Sequence, residues 1–96
     1  MYIVALTYVR PVEEIDPLLP GHMAWLEEHY AAGRFLASGR KVPRTGGVIL
    51  AARMARTDLD ALIAADPFHR KGVARYDVTE LEISKAAPQL AALIGS

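Results

Sequence analysis

Residues 59–70 read L-D-A-L-I-A-A-D-P-F-H-R, and much of the fold turns on how this stretch ends. Leu59, Leu62 and Ile63 stand at i, i+3 and i+4, the spacing of one helix face. Asp66 falls at i+7, on that same face. An acid there faces apolar neighbours and closes a helix whose dipole disfavours negative charge. Pro67 holds the residue before it in extended geometry, so the helix stops at Asp66. A carboxyl group in this position is expected to be partnered or protonated. Either it accepts from backbone N–H groups and shapes the turn, or it meets a basic side chain that the fold brings to it.

Length and composition bound what that fold can be. Ninety-six residues make one domain with a small core. A hydrophobic content of 52% is rich for this size and suggests a further buried surface. The absence of Cys excludes a disulfide framework, a thiolate zinc site and a Cys nucleophile. No apolar run approaches the roughly 18 residues that span a bilayer, and the start, M-Y-I-V-A-L-T-Y-V-R, reads as a strand and not a signal peptide. The expectation is a soluble, cytoplasmic protein. Net charge is zero but unevenly spread. Residues 1–33 hold one base against five acids, 34–75 nine bases against three acids, and 76–96 one base against three acids. That balance argues against a nucleic-acid partner, since nucleic-acid-binding domains are usually basic overall.

In chain order, Tyr2 to Val9 is a strand apolar on both faces, which calls for cover on both sides. Residues 11–16 read as a loop or a loose acidic turn. A helix is predicted from about Pro17 to Ala32, with Asp16 as N-cap and Gly33 closing it. Its apolar stripe is Leu19, Met23, Leu26 and Tyr30, with His22 and His29 on one edge. Strands follow at Phe35–Arg40 and Val48–Arg53, separated by the Pro- and Gly-punctuated loop K-V-P-R-T-G-G. Thr57 is the expected N-cap of the second helix, and the turn after Pro67 adds residues 68–71. Ala74 to Ile83 is the last strand. The domain thus covers residues 1–83, and residues 84–96 form a tail with a helical cluster after Pro88 that can pack at a dimer interface.

The order β-α-β-β-α-β is that of an α+β, ferredoxin-like fold, an antiparallel sheet with both helices on one face. With spatial strand order 4-1-3-2, the start of the first helix and the end of the second lie at the same end of the molecule. His22 therefore meets Asp66, with Tyr8, Ser38 and Arg40 nearby and Lys41, Arg44, Arg70 and Lys71 around them. A His–Asp pair is a general acid–base unit, because the carboxylate fixes the imidazole tautomer and raises its basicity. The site residues are then His22 and Asp66 as catalytic pair, with Ser38, Arg40, Tyr8 and Phe68 at the substrate. His69 follows the acid and stands near the mouth of the site; a metal set of His22, Asp66 and His69 has no supporting spacing, so no metal is expected. Trp25 and Phe68 are packing residues or pocket walls. The sheet face away from the helices is left open, and a second copy of the chain is its expected cover.

The chain resembles the YciI-like (YCII-related) proteins over about residues 1–83. The resemblance rests on His22 near the helix start, G-R-F-L-A-S-G at 33–39, and A-D-P-F at 65–68 followed by Gly72. It implies a dimeric α+β barrel with a His and Asp site, mapping to His22 and Asp66, with Ser38 beside them. Two positions depart from the family pattern. L-L-P-G precedes His22 where an Arg is common, and Arg40 follows Ser38-Gly39 where Pro is common. Removal of chloride from a chlorinated hydroxyhydroquinone is one activity among relatives, and muconolactone isomerase has a similar barrel. The expected function is cofactor-independent acid–base chemistry, of isomerase or lyase type, on a small anionic or phenolic compound. The alternative is a non-catalytic, ligand-binding or stress-associated dimer.

Overall fold

The computed structural model describes residues 1–96. Four antiparallel strands, β1 (Tyr2–Tyr8), β2 (Phe35–Arg40), β3 (Gly46–Ala51) and β4 (Ala74–Glu80), form one sheet in the order β2-β3-β1-β4. The helical segments are α1 (Val12–Ile15), a 3-10 turn (Asp16–Leu18), α2 (Leu19–Ala31), α3 (Arg56–Ala64) and α4 (Pro67–Arg70). This is the α+β, ferredoxin-like arrangement expected from the element order. No helix is long and apolar enough to cross a membrane.

Alternation along β1 sets the two faces. Tyr2, Val4 and Leu6 are buried beneath the helices, while Ile3, Ala5 and Thr7 point the other way and are only half-buried. In β3, Ile49 stands beside Val4 and Ala51 beside Tyr2, which joins them to the same core as Leu59, Leu62, Ile63 and Phe68. The central register depends on Gly46, whose φ is +155°. A Cβ there would sit 1.8 Å from the Leu6 carbonyl oxygen, so only glycine lets the start of β3 lie this close to β1.

Several boundaries differ from the sequence reading, each for a local reason. Residues 12–15 are helical and not a loop: Pro11 precedes the segment, and Glu13 and Glu14 suit its first turn. Pro17 and Pro20 lack N–H groups, so the following chain enters α2 through a 3-10 turn and Asp16 caps nothing. Asp16 instead accepts from Arg44 at 2.6 Å. The N-cap of α3 is Ala55 and not Thr57, with Arg56 paired to Asp60 across the first turn. β3 begins and ends two residues earlier than expected, and β4 stops at Glu80.

The buried stripe of α2 is His22, Trp25, Leu26 and His29, not the Met23–Tyr30 stripe; Met23 and Tyr30 are exposed. Two histidines occupy core positions because aromatic rings enclose them. His29 lies 5.4 Å from the Trp25 ring and 5.1 Å from Phe35, with Arg34 donating to its Nδ1 at 3.3 Å. Burial, reinforced by the Arg34 charge and opposed by Glu28, pushes the His29 pKa below its ordinary value. The unfolded chain therefore binds this proton more readily than the folded one. Stability is expected to hold above pH about 6.5 and to fall as the pH drops below it. Urea midpoints between pH 7.5 and 5 should show this loss, and His29→Gln should flatten it; a His29→Gln profile as steep as wild type would refute it.

Candidate functional site

The residues that end α3 and start α4 build the centre of the site. Asp66 takes β-region backbone (φ −64°, ψ 128°), as the residue before proline should, and caps α4 by accepting from the Phe68 N–H at 3.1 Å. The carboxylate is fully buried. Its Oδ1 also accepts from His22 Nδ1 at 2.8 Å, and its Oδ2 from the Tyr76 hydroxyl at 2.5 Å. Both readings of Asp66, turn former and partner of a base, thus hold at once. Gly21 eases the approach: a Cβ there would stand 3.2 Å from the Pro67 ring, a tight contact that the ring would have to relieve by a few tenths of an ångström.

Tyr76 is the member that sequence reasoning missed. Its signal was its register, since it lies across from Leu6 and so shares the helix-covered face of the sheet. Burial, the hydrogen bond to Asp66 and the charge of Asp66 push its phenol far above the ordinary range. The hydroxyl therefore stays protonated and donates. Three donors thus converge on the two oxygens of Asp66 in an apolar setting, as a buried polar group requires.

The imidazole of His22 is enclosed in turn. It stacks on Phe68 at 4.0 Å with 6° between the planes, and Trp25 lies 5.5 Å away on a tilt. Nδ1 faces the carboxylate, which can only accept, so the ring proton sits on Nδ1 and the lone pair on Nε2. Nε2 has no partner in the chain, yet no buried side-chain nitrogen or oxygen goes unpartnered, so Nε2 opens onto the adjoining cavity.

That cavity, about 390 Å³, lies between α2 and the sheet. Tyr8, His22, Ser38, Arg40 and Phe68 all line it. The Ser38 hydroxyl is shared with Tyr30 at 2.6 Å. Arg40 has no acid partner, whereas Arg44, also at the wall, lies over the Tyr8 ring and is tied to Asp16. Leu19, Met23 and Leu26 supply apolar surface.

Other residues expected here lie elsewhere. His69 stands against Tyr76, 5.4 Å between rings, and lines a different cavity beside α3 and β4. It follows Asp66 within α4, which turns it away, and the set of His22, Asp66 and His69 is not assembled as a metal site. Arg70 and Lys71 are exposed and off the cavity wall. Lys41 bonds Thr7 on the open face of the sheet. Trp25 donates to the Leu62 carbonyl and serves packing.

Comparison with known proteins gives two findings. The sequence profile of the YCII-related domain matches residues 1–82. Among solved structures, the 5-chloro-2-hydroxyhydroquinone dehydrochlorinase (TftG) from Burkholderia phenoliruptrix AC1100, in complex with 2,5-dihydroxybenzoquinone, has a TM-score of 0.71. The match covers 85% of this chain and 94% of that chain at 17% identity, a likeness of fold. No curated protein matches the chain in sequence.

Removing the Tyr76 hydroxyl leaves Oδ2 of a fully buried carboxylate without a donor. Tyr76→Phe is expected to cost about 1–3 kcal/mol of stability, more than a lost surface hydrogen bond. Denaturant unfolding measures it; a loss below about 0.5 kcal/mol would show that Oδ2 does not depend on Tyr76.

Proposed function

The chain belongs to the YCII-related domain family, and from that premise we propose that it is a small, cofactor-independent enzyme acting by acid–base chemistry on a small anionic or phenolic compound. One observation carries this reading: His22 is held through Nδ1 by a buried carboxylate and offers Nε2 to a ligand-sized cavity. His22 takes a proton from the substrate at Nε2. Asp66 keeps the tautomer and stabilises the imidazolium that forms. Return of the proton to another substrate atom completes an isomerisation. In an elimination the electrons of the broken C–H bond form the new π bond, and the leaving group departs with its own bonding pair. Chloride loss is one such step, and the dehydrochlorinase of like fold makes it a reasonable first substrate test.

Arg40 anchors the anionic group, Ser38 and Tyr8 offer hydroxyl donors, and Phe68 forms an apolar wall that also braces His22. A screen of phenolic, lactone and haloaromatic compounds tests the reading. Turnover should fall about 100-fold or more in His22→Ala, the scale of general acid–base catalysis. Arg40→Ala should weaken binding, and added salt should weaken it in wild type but less in that variant, because screening acts on the charge that was removed. Turnover that survives His22→Ala refutes the mechanism. Saturable binding without turnover by wild type would instead favour a non-catalytic ligand-binding protein.

We further propose a homodimer. Ile3, Ala5, Val48 and Leu50 share the sheet face away from the helices and are only half-buried. Residues 1–83 form the repeating unit, and the tail 84–96 reaches across the partner. Within one chain that tail forms a 3-10 segment (Pro88–Leu93) with no buried residue, and Leu90 and Ile94 remain exposed. A stable pair buries at least ~1,200 Å² in total. Sedimentation at micromolar concentration should give twice the 10.5 kDa chain mass; a monomer would exclude it.

A further inference from the structure

His29 lies two turns down α2 from His22, roughly 10 Å by helix rise, and the proposed chemistry does not use it. A further cavity, about 720 Å³, opens beside it at the other end of the molecule. The end of α2, Arg34, the residues that follow β3, and α3 surround this space. Its lining includes His29, Arg34 and Arg53, with Met54 and Leu62 as apolar surface and Asp58 as the one acid.

Two independent features mark it as a binding site. The first is His29, only 7% exposed. Arg34 can only donate, so His29 Nδ1 accepts and the ring proton lies on Nε2. Nε2 has no partner in the chain, yet no buried side-chain nitrogen is left unpaired, so this N–H opens onto the cavity. The second is the state of the arginines. Arg10, Arg44, Arg56 and Arg75 each hold a carboxylate, Arg34, Arg40, Arg53 and Arg70 hold none, and two of these last four line this space. Two guanidiniums without a salt-bridge partner and an imidazole N–H thus line one space with a single carboxylate in its wall, while Glu80 and Glu82 line a neighbouring cavity that Arg53 also borders.

We propose that this cavity is a second site, binding a phosphate-type dianion. Arg34 and Arg53 supply charge and forked donors, which match the oxygens of a phosphate group. His29 supplies a neutral donor. The cavity is larger than a bare phosphate, and Met54, Leu62 and Ala61 offer apolar contact to an organic group attached to it.

Amide NMR titration of the full chain with inorganic phosphate and with phenyl phosphate, at matched ionic strength, tests the site. Saturable shifts are expected at Gly33, Arg34, Ala52 and Arg53, distinct from any at Gly39 and Gly47 by the His22 cavity. Tighter binding of phenyl phosphate assigns the apolar wall to a phosphate ester; equal affinity assigns the site to the free ion. Arg53→Gln, at an exposed side chain without a hydrogen bond, should weaken binding about tenfold or more, the scale of one charge-assisted hydrogen bond. Arg34→Gln should do the same. Unsaturable shifts, shifts confined to the His22 cavity, or binding unchanged by Arg53→Gln would overturn the proposal.

Discussion

A carboxylate removed from water is the constraint on which the rest of this chain depends. Asp66 cannot sit beneath α2 and beside Phe68 unless its oxygens are occupied, because an unpaired buried charge costs several kcal/mol. Three donors from three parts of the chain meet it: an imidazole from α2, a backbone N–H from α4 and a phenol from β4. Oδ1 has two of these donors, whereas Oδ2 depends on the Tyr76 hydroxyl alone. The interaction therefore fixes relative positions that apolar contacts alone would specify less sharply, since polar pairing is directional where burial is not.

The same residue shapes the backbone. Asp66 ends α3, starts α4 and, through Pro67, meets α2 at Gly21. Phe68, two residues on, both fills the core and lies flat against His22. Local chain geometry, core packing and the orientation of the His22 imidazole thus follow from one tetrapeptide, A-D-P-F. A substitution there cannot be assigned to stability or to function alone, because both properties use the same contacts.

Much of this was legible in the sequence. Element order and strand alternation were enough for the sheet topology and for bringing the start of the first helix to the end of the second. The proximity of His22 to Asp66 followed from topology. Boundaries near prolines were less legible, since Pro17 and Pro20 can either start a helix or divide one, and side chains elsewhere settle which. The stripe of α2 was misread because histidine counts as polar in a periodicity, whereas His22 and His29 are buried among aromatic rings. Tyr76 was passed over for a similar reason. Its alternation was visible, but a tyrosine becomes a carboxylate partner only through strand register, which the turn at Gly46 and the pairing of β1 with β4 determine.

The distribution of arginine partners has a consequence for how solutes arrive. Arg10, Arg44, Arg56 and Arg75 hold carboxylates, whereas Arg34, Arg40, Arg53 and Arg70 hold none, and three of those four line the His22 and His29 cavities. Because the chain carries no net charge, its far field nearly cancels, and an anion tens of ångströms away feels little pull. Only within a Debye length, about 10 Å at 0.1 M salt, do the free guanidiniums act. On the anion-binding readings proposed above, such a molecule would not gather anions from a distance but would retain those that diffusion delivers, its affinity residing in slow departure more than in fast encounter.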